Sequence, residues 1–251
     1  MHRNVNSLIG SRMVASDGEM GKVEEFYFDD QVWIIVYFVV KTGNWLSSRK
    51  VLISPYALIR GTHRSDTFPV NLTREQIKNS PDIDTELPVS RQQEIALHKH
   101  YPWQSYWGTG FYEGGIWGIV TPPVVDPLPL KAAVSDLHLR SIHGDLHLRS
   151  THAISGYHIE TTDGELGHLR DFIIDDETWH IEYLVIEMHR WLTGKKVLIA
   201  RKHIMEIQWD TSKVLVDLTS HALENGTPYD ESVFSRPETL DTVFDNDLLV
   251  R

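Results

Sequence analysis

Asp17-Gly18-Glu19-Met20-Gly21 returns 146 residues later as Asp163-Gly164-Glu165-Leu166-Gly167, and the match between these two stretches decides the fold. It extends without a gap through Phe26/Phe172, Asp29-Asp30/Asp175-Asp176, Trp33/Trp179 and Tyr37/Tyr183. It continues through Trp45-Leu46/Trp191-Leu192 and Lys50-Val51-Leu52-Ile53/Lys196-Val197-Leu198-Ile199, and ends near Leu72-Thr73/Leu218-Thr219. A repeat of this length sets the architecture before any propensity argument is needed, so the two halves share a fold.

Local signals within each copy are those of short strands and tight turns. Asp17-Gly18 and Asp163-Gly164 read as hairpin dipeptides of the type I′ kind, because an Asp-Gly pair accepts positive φ. Asp29-Asp30 and Asp175-Asp176 fall between two runs of β-branched and aromatic residues, where a hairpin loop belongs. A catalytic carboxylate pair is the sharper alternative, but turn chemistry accounts for both copies.

Side chains alternate along the strand that follows. Trp33, Ile35, Tyr37 and Val39 match Trp179, Ile181, Tyr183 and Val185, and this shared face is the expected core. The opposite face is Ile34, Val36, Phe38 and Val40 in the first copy, against His180, Glu182, Leu184 and Ile186 in the second. Those four apolar residues are a candidate interaction surface, met by the other repeat, a second copy of the chain or a partner. The competing reading covers them within their own domain.

Thr73 before Glu75 and Gln76, and Thr219 before Ser220 and His221, are N-cap signals for a short helix that closes each copy near Pro81 or Pro228. Residues 88–135 match neither copy. Gln92 to His100 suits a short helix, after which Tyr101, Trp103, Tyr106, Trp107, Phe111, Tyr112 and Trp117 crowd among glycines, and Pro122 to Pro129 suits an extended spacer. Trp103 and Trp107 are candidate interaction residues, because aromatics of this density dock on a barrel, a partner or a second copy, or stack on a ligand. Asp136-Leu137-His138-Leu139-Arg140-Ser141 then recurs as Asp145-Leu146-His147-Leu148-Arg149-Ser150. His138, His143, His147 and His152 are the candidate metal ligands, although their alternation with leucine favours a pair of edge segments leading into the second copy.

A net charge of −11 over 251 residues argues against a phosphate-neutralising nucleic-acid binder. The absence of cysteine removes disulfides and thiolate zinc sites and fits a reducing compartment. The longest apolar run, Val32 to Val40, is too short to span a bilayer, and no secretory h-region follows the first residues. The expectation is a soluble, cytoplasmic chain without membrane insertion. No nucleophile and base pattern, phosphate loop or dinucleotide fingerprint marks an enzyme or calls for a cofactor.

Asp163-Gly164-Glu165-Leu166-Gly167-His168, Phe172-Ile173-Ile174-Asp175-Asp176, Trp179, Tyr183-Leu184-Val185 and the Trp191-Leu192 to Leu198 stretch resemble the bacterial PRC-barrel domain, and the first copy resembles it with a less typical sequence. That family is named after the photosynthetic reaction-centre H subunit. The resemblance implies an all-β fold with short helices: two small PRC-type β-barrels in tandem, at 1–87 and 136–251, joined by 88–135. It further implies a bacterial protein-interaction or assembly module, with a protein partner or a second copy, a dimer first. The alternative is a metal-binding protein or metal-dependent enzyme using residues 138–158.

Overall fold

The computed structural model describes residues 1–59, 66–81, 91–101, 103, 148–188, 195–225 and 229. The first copy runs through β1 (His2–Asn4), helix α1 (Val5–Leu8), β2 (Arg12–Ala15), the long β3 (Gly18–Asp29), β4 (Ile34–Thr42), β5 (Lys50–Ile53), β6 (Thr67–Pro69) and helix α2 (Arg74–Lys78). Helix α3 (Arg91–His100) follows. The second copy runs through β7 (Leu148–Ser150), α4 (Thr151–Ile154), β8 (His158–Thr161), β9 (Gly164–Asp175), β10 (Ile181–Met188), β11 (Lys196–Ala200), β12 (Ile204–Gln208), β13 (Lys213–Val216) and α5 (Ser220–Glu224). Matching elements start 146 residues apart, from β1/β7 through α2/α5, with β10 beginning one residue late. The protein is therefore mainly β, and the repeat read from sequence holds residue by residue.

The turns explain the shared pentapeptide. In both copies the two-residue loop is Ser16-Asp17 or Thr162-Asp163, one position earlier than a type I′ reading of Asp-Gly places it. Only Gly18 (φ 144°) and Gly164 (φ 146°) take positive φ there, so the I′ turn is not formed. The aspartate instead serves the closing helix. Asp17 Oδ1 accepts from the Arg74 amide at 2.8 Å, and Asp163 Oδ1 from the Ser220 amide at 2.7 Å. Each thereby satisfies one orphan donor at the helix start. Thr73 completes a capping box with Gln76 on α2 and Thr219 caps α5, as their spacing predicts. Thr73→Ala should lower stability by about 1 kcal/mol in denaturant unfolding.

Asp29 and Asp175 are likewise turn formers. Asp29 Oδ1 accepts from the amides of Gln31 (2.9 Å) and Val32 (3.1 Å), and Asp175 Oδ1 from those of Glu177 (3.0 Å) and Thr178 (2.7 Å). Each turn ends on a tryptophan in the left-handed region, Trp33 at φ 59° and Trp179 at φ 63°. A bulky residue there is costly, and the burial of both indoles offsets that cost.

Two compact units form, and they cut across the repeat boundaries: one holds Met1–Ile9, Trp33–Ile35 and Ser150–Arg251, the other Gly10–Val32 and Val36–Arg149. In the second-repeat unit the strand order is β11-β10-β9-β8-β13-β12, with β8 and β13 parallel. Strand β9 gives one edge to β10, while its other edge is shared by β8 on Gly164–His168 and by β1 on Ile173–Asp175. The N-terminal segment is thus a structural part of the second repeat. Val5 and Leu8 are buried, Asn4 Nδ2 donates to Asp171 Oδ2 at 3.0 Å, and the Asn6 amide donates to Asp171 Oδ1 at 3.0 Å. In the same unit Trp33–Ile35 pairs with its own equivalents: the Ile35 amide donates to the Trp179 carbonyl (2.9 Å) and the Ile181 amide to the Trp33 carbonyl (2.8 Å).

In the first-repeat unit the order is β5-β4-β3-β2-β6, with β7 added to β3. Arg149 of β7 is ion-paired with Asp30 at 3.0 Å. Among the described residues both strand paths are open, because no ladder joins β11 to β12 or β5 to β6. Closed tandem barrels are therefore not what forms. The end strands β5, β6, β11 and β12 are only three to five residues long. Among the described residues no helix is long and apolar enough to cross a membrane.

Candidate functional site

Ile34, Val36, Phe38 and Val40, expected as an interaction surface, are all buried, as are Trp33, Ile35, Tyr37 and Val39 on the other face of the strand. Phe38 packs between Phe26 and Phe68, with ring centroids at 5.1 and 5.3 Å. The strand is apolar on both faces because it is covered on both, so this surface is corrected to core. In the second copy His180 and Glu182 are half-buried where Ile34 and Val36 are closed off, as their polarity requires.

The candidate metal ligands His138, His143 and His147, and the interaction candidate Trp107, lie outside the described residues. His152 sits exposed on α4. Among the described residues no group of three or more His, Cys, Asp or Glu side chains is placed to hold a metal ion.

A polar cluster does form where the sequence carried little sign of one. Helix α3 covers Tyr37 of β4 with two side chains one turn apart, Glu94 and His98. The Tyr37 hydroxyl, on a side chain with 0% exposure, donates to Glu94 Oε1 at 3.4 Å and lies 3.1 Å from His98 Nε2. Glu94 is only 3% exposed. The other ring nitrogen of His98 is 3.3 Å from the Trp103 carbonyl, and the Trp103 indole stacks on Tyr101 at 4.1 Å. Trp103, an interaction candidate, is half-buried, while Tyr101 is buried. Burial pushes the Tyr101 phenol up to about 12, against the smaller opposing effects of Ser80 and Arg49.

The equivalent tyrosine of the second copy is Tyr183. It is half-buried, its ring meets that of His2 edge-on at 6.3 Å, and burial followed by the Glu182 charge raises its pKa. The i, i+4 spacing of Glu94 and His98 was the available signal in the sequence. It carried no hint of Tyr37, some sixty residues earlier, as the common partner.

Elsewhere among the described residues, Asp175, Arg49 and Lys195 are engaged in holding the fold. Burial raises the Asp175 pKa, but hydrogen bonds from Thr178 and the charge of the Met1 ammonium outweigh it, so the net shift is downward. Its contribution to stability is present above the ordinary carboxylate range and fades as pH falls through the lowered value. Arg49 donates to the carbonyls of Ser80 (2.8 Å) and Pro81 (2.7 Å) after α2, and its equivalent Lys195 donates to that of Glu224 (2.8 Å) at the end of α5.

No protein-family model matches the chain, and no curated protein matches it in sequence.

Proposed function

We propose that this chain is a non-catalytic protein-interaction and assembly module of the bacterial cytoplasm, built on two PRC-barrel-like repeats and self-associating, as a dimer first. The observation that carries this reading is how the repeat uses its carboxylates. Asp17 and Asp163 cap helices and Asp29 and Asp175 close turns in both copies, and Glu94 on α3 is buried against Tyr37, so these acidic groups serve the fold. A scaffold that commits its reactive side chains to internal hydrogen bonds is suited to presenting a surface. With the strand face buried, the half-buried Trp103, together with Trp107, is the proposed contact. The net charge of −11 favours a basic protein partner over nucleic acid.

Light scattering on the eluting full-length chain tests the reading. The expected mass is about twice the 28.9 kDa of one chain, and Trp103→Ala should shift the population toward the single-chain mass. A single-chain mass held across a hundredfold concentration range, with no basic protein retained from the native host, would overturn it.

A further inference from the structure

We propose that His158 and His168, facing each other across β8 and β9, form a chelating site for a divalent transition-metal ion of the kind imidazole prefers: zinc, nickel or copper. The two residues are direct partners in the antiparallel ladder, and their ring centroids lie 4.6 Å apart. With metal–nitrogen bonds of about 2.0–2.1 Å, two imidazoles on one ion have centroids about 4.5–5 Å apart, from a right-angled to a tetrahedral arrangement. The strand pairing thus already holds the rings at the separation a shared ion requires. Little ordering is left to the binding step.

The pair has its own orienting group. His158 Nδ1 is 2.9 Å from Glu165 Oε1. A carboxylate only accepts, so Nδ1 donates its proton there, and in the neutral imidazole the lone pair is left on Nε2. A carboxylate bonded to the far nitrogen of a metal-binding histidine fixes tautomer and ring orientation and raises the basicity of the ligand. Glu165 stands on β9 with His168, so one strand supplies one ligand and the group that aims the other.

The neighbouring carboxylates are bound to cations. Glu160, the ladder partner of Glu165, accepts from Lys213 Nζ at 2.6 Å, and Glu187, the ladder partner of His168, accepts from Arg170. The protein ligands are therefore the two imidazoles, with water in the remaining positions. Such a site exchanges its ion, unlike a closed structural site with four protein ligands. The His158 side chain is 43% exposed, so the ion arrives from solvent. It displaces any proton or hydrogen bond on the nitrogen it takes.

At the matching positions the first copy carries Arg12 and Lys22, which are ladder partners in the same way, while Glu19 matches Glu165. A guanidinium and an ammonium repel a metal ion. The frame is common to both copies, and two residues change its chemistry.

The test uses the full chain, followed by histidine side-chain NMR and titrated with Zn2+ as a diamagnetic probe. Among its 14 histidines, His158 and His168 should shift first and together, saturating at one ion per chain. Removing an orienting partner typically costs about 10–100-fold in metal affinity, and removing a ligand costs at least as much. Glu165→Gln should therefore weaken Zn2+ binding about tenfold with both imidazoles in place. His158→Asn should weaken it further and silence the response of the unaltered His168, and His168→Asn should do the reverse. The double variant should bind no more weakly than either single one, because losing one arm of a chelate loses the chelate. If His168→Asn does not fold, His158→Asn and Glu165→Gln decide, since both side chains are 43% exposed. A zinc response that begins at other histidines, additive losses in the double variant, or a His168 response that survives His158→Asn would overturn the site.

Discussion

Gly167→Ala should be the most destabilising conservative change in the second-repeat unit, and Gly21→Ala its counterpart in the first. A Cβ on Gly167 would lie 2.1 Å from the Glu187 carbonyl oxygen and 2.8 Å from the Met188 Cα, and one on Gly21 would lie 2.0 Å from the Lys41 carbonyl oxygen. The obstructing atoms are backbone, so no side-chain rotation relieves the clash. The long β3 or β9 strand must instead separate from β4 or β10, which breaks ladder hydrogen bonds between them. Overpacking usually costs 1–3 kcal/mol, and a backbone clash belongs at or above the top of that range, about 3 kcal/mol or more. Urea unfolding followed by tryptophan fluorescence measures it. A loss below about 1 kcal/mol would mean that the two strands are not this close. Gly164→Ala is the contrasting case. Nothing lies within 4 Å of its added Cβ, so the penalty there is confined to the positive φ of 146°.

Leu8→Ala should destabilise the second repeat while leaving the first comparatively intact. Leu8 is fully buried within the unit that contains residues 150–251, and α1 packs on β9. Truncating a fully buried leucine costs about 2–5 kcal/mol, depending on how far the cavity collapses. Hydrogen exchange resolved by residue separates the outcomes: protection should fall in β9 and β10 and hold in β3 and β4. A loss confined to the first 80 or so residues in sequence would contradict the placement of the N-terminal segment. Asn4→Ala should act in the same place, because Asp171 is a buried carboxylate that accepts a hydrogen bond from the Asn4 side chain at 3.0 Å.

Much of the fold was legible because it rests on local signals written twice. The pentapeptide at Asp17 and Asp163, the N-cap threonines Thr73 and Thr219 and the tryptophans after each Asp-Asp pair all mark the same elements in both copies. The assignment of Asp29 and Asp175 to turns also held, since an aspartate bonds amides two and three residues ahead of it. Long-range pairing was not legible. Nothing in His2-Arg3-Asn4 says that it pairs with Ile173–Asp175, as a three-residue strand carries too little pattern to name its partner. The face of Ile34, Val36, Phe38 and Val40 was misread for a related reason. An apolar run looks the same whether it is covered by its own domain or waits for a partner. At the polar cluster the helix and its two titratable residues were visible, but the tyrosine they meet was one more aromatic on a core strand.

The pairing of β1 with β9 has a consequence for how the chain is made. Residues 2–4 are synthesised about 170 residues ahead of Ile173–Asp175, their partners in the sheet. At roughly 5–20 residues per second the wait is about 10–35 seconds. Throughout that interval the opening segment, with Val5 and Leu8, has no sheet to join. Its final place therefore depends on a stretch made much later, and the finished fold requires a search that fast local folding of the first repeat cannot shorten.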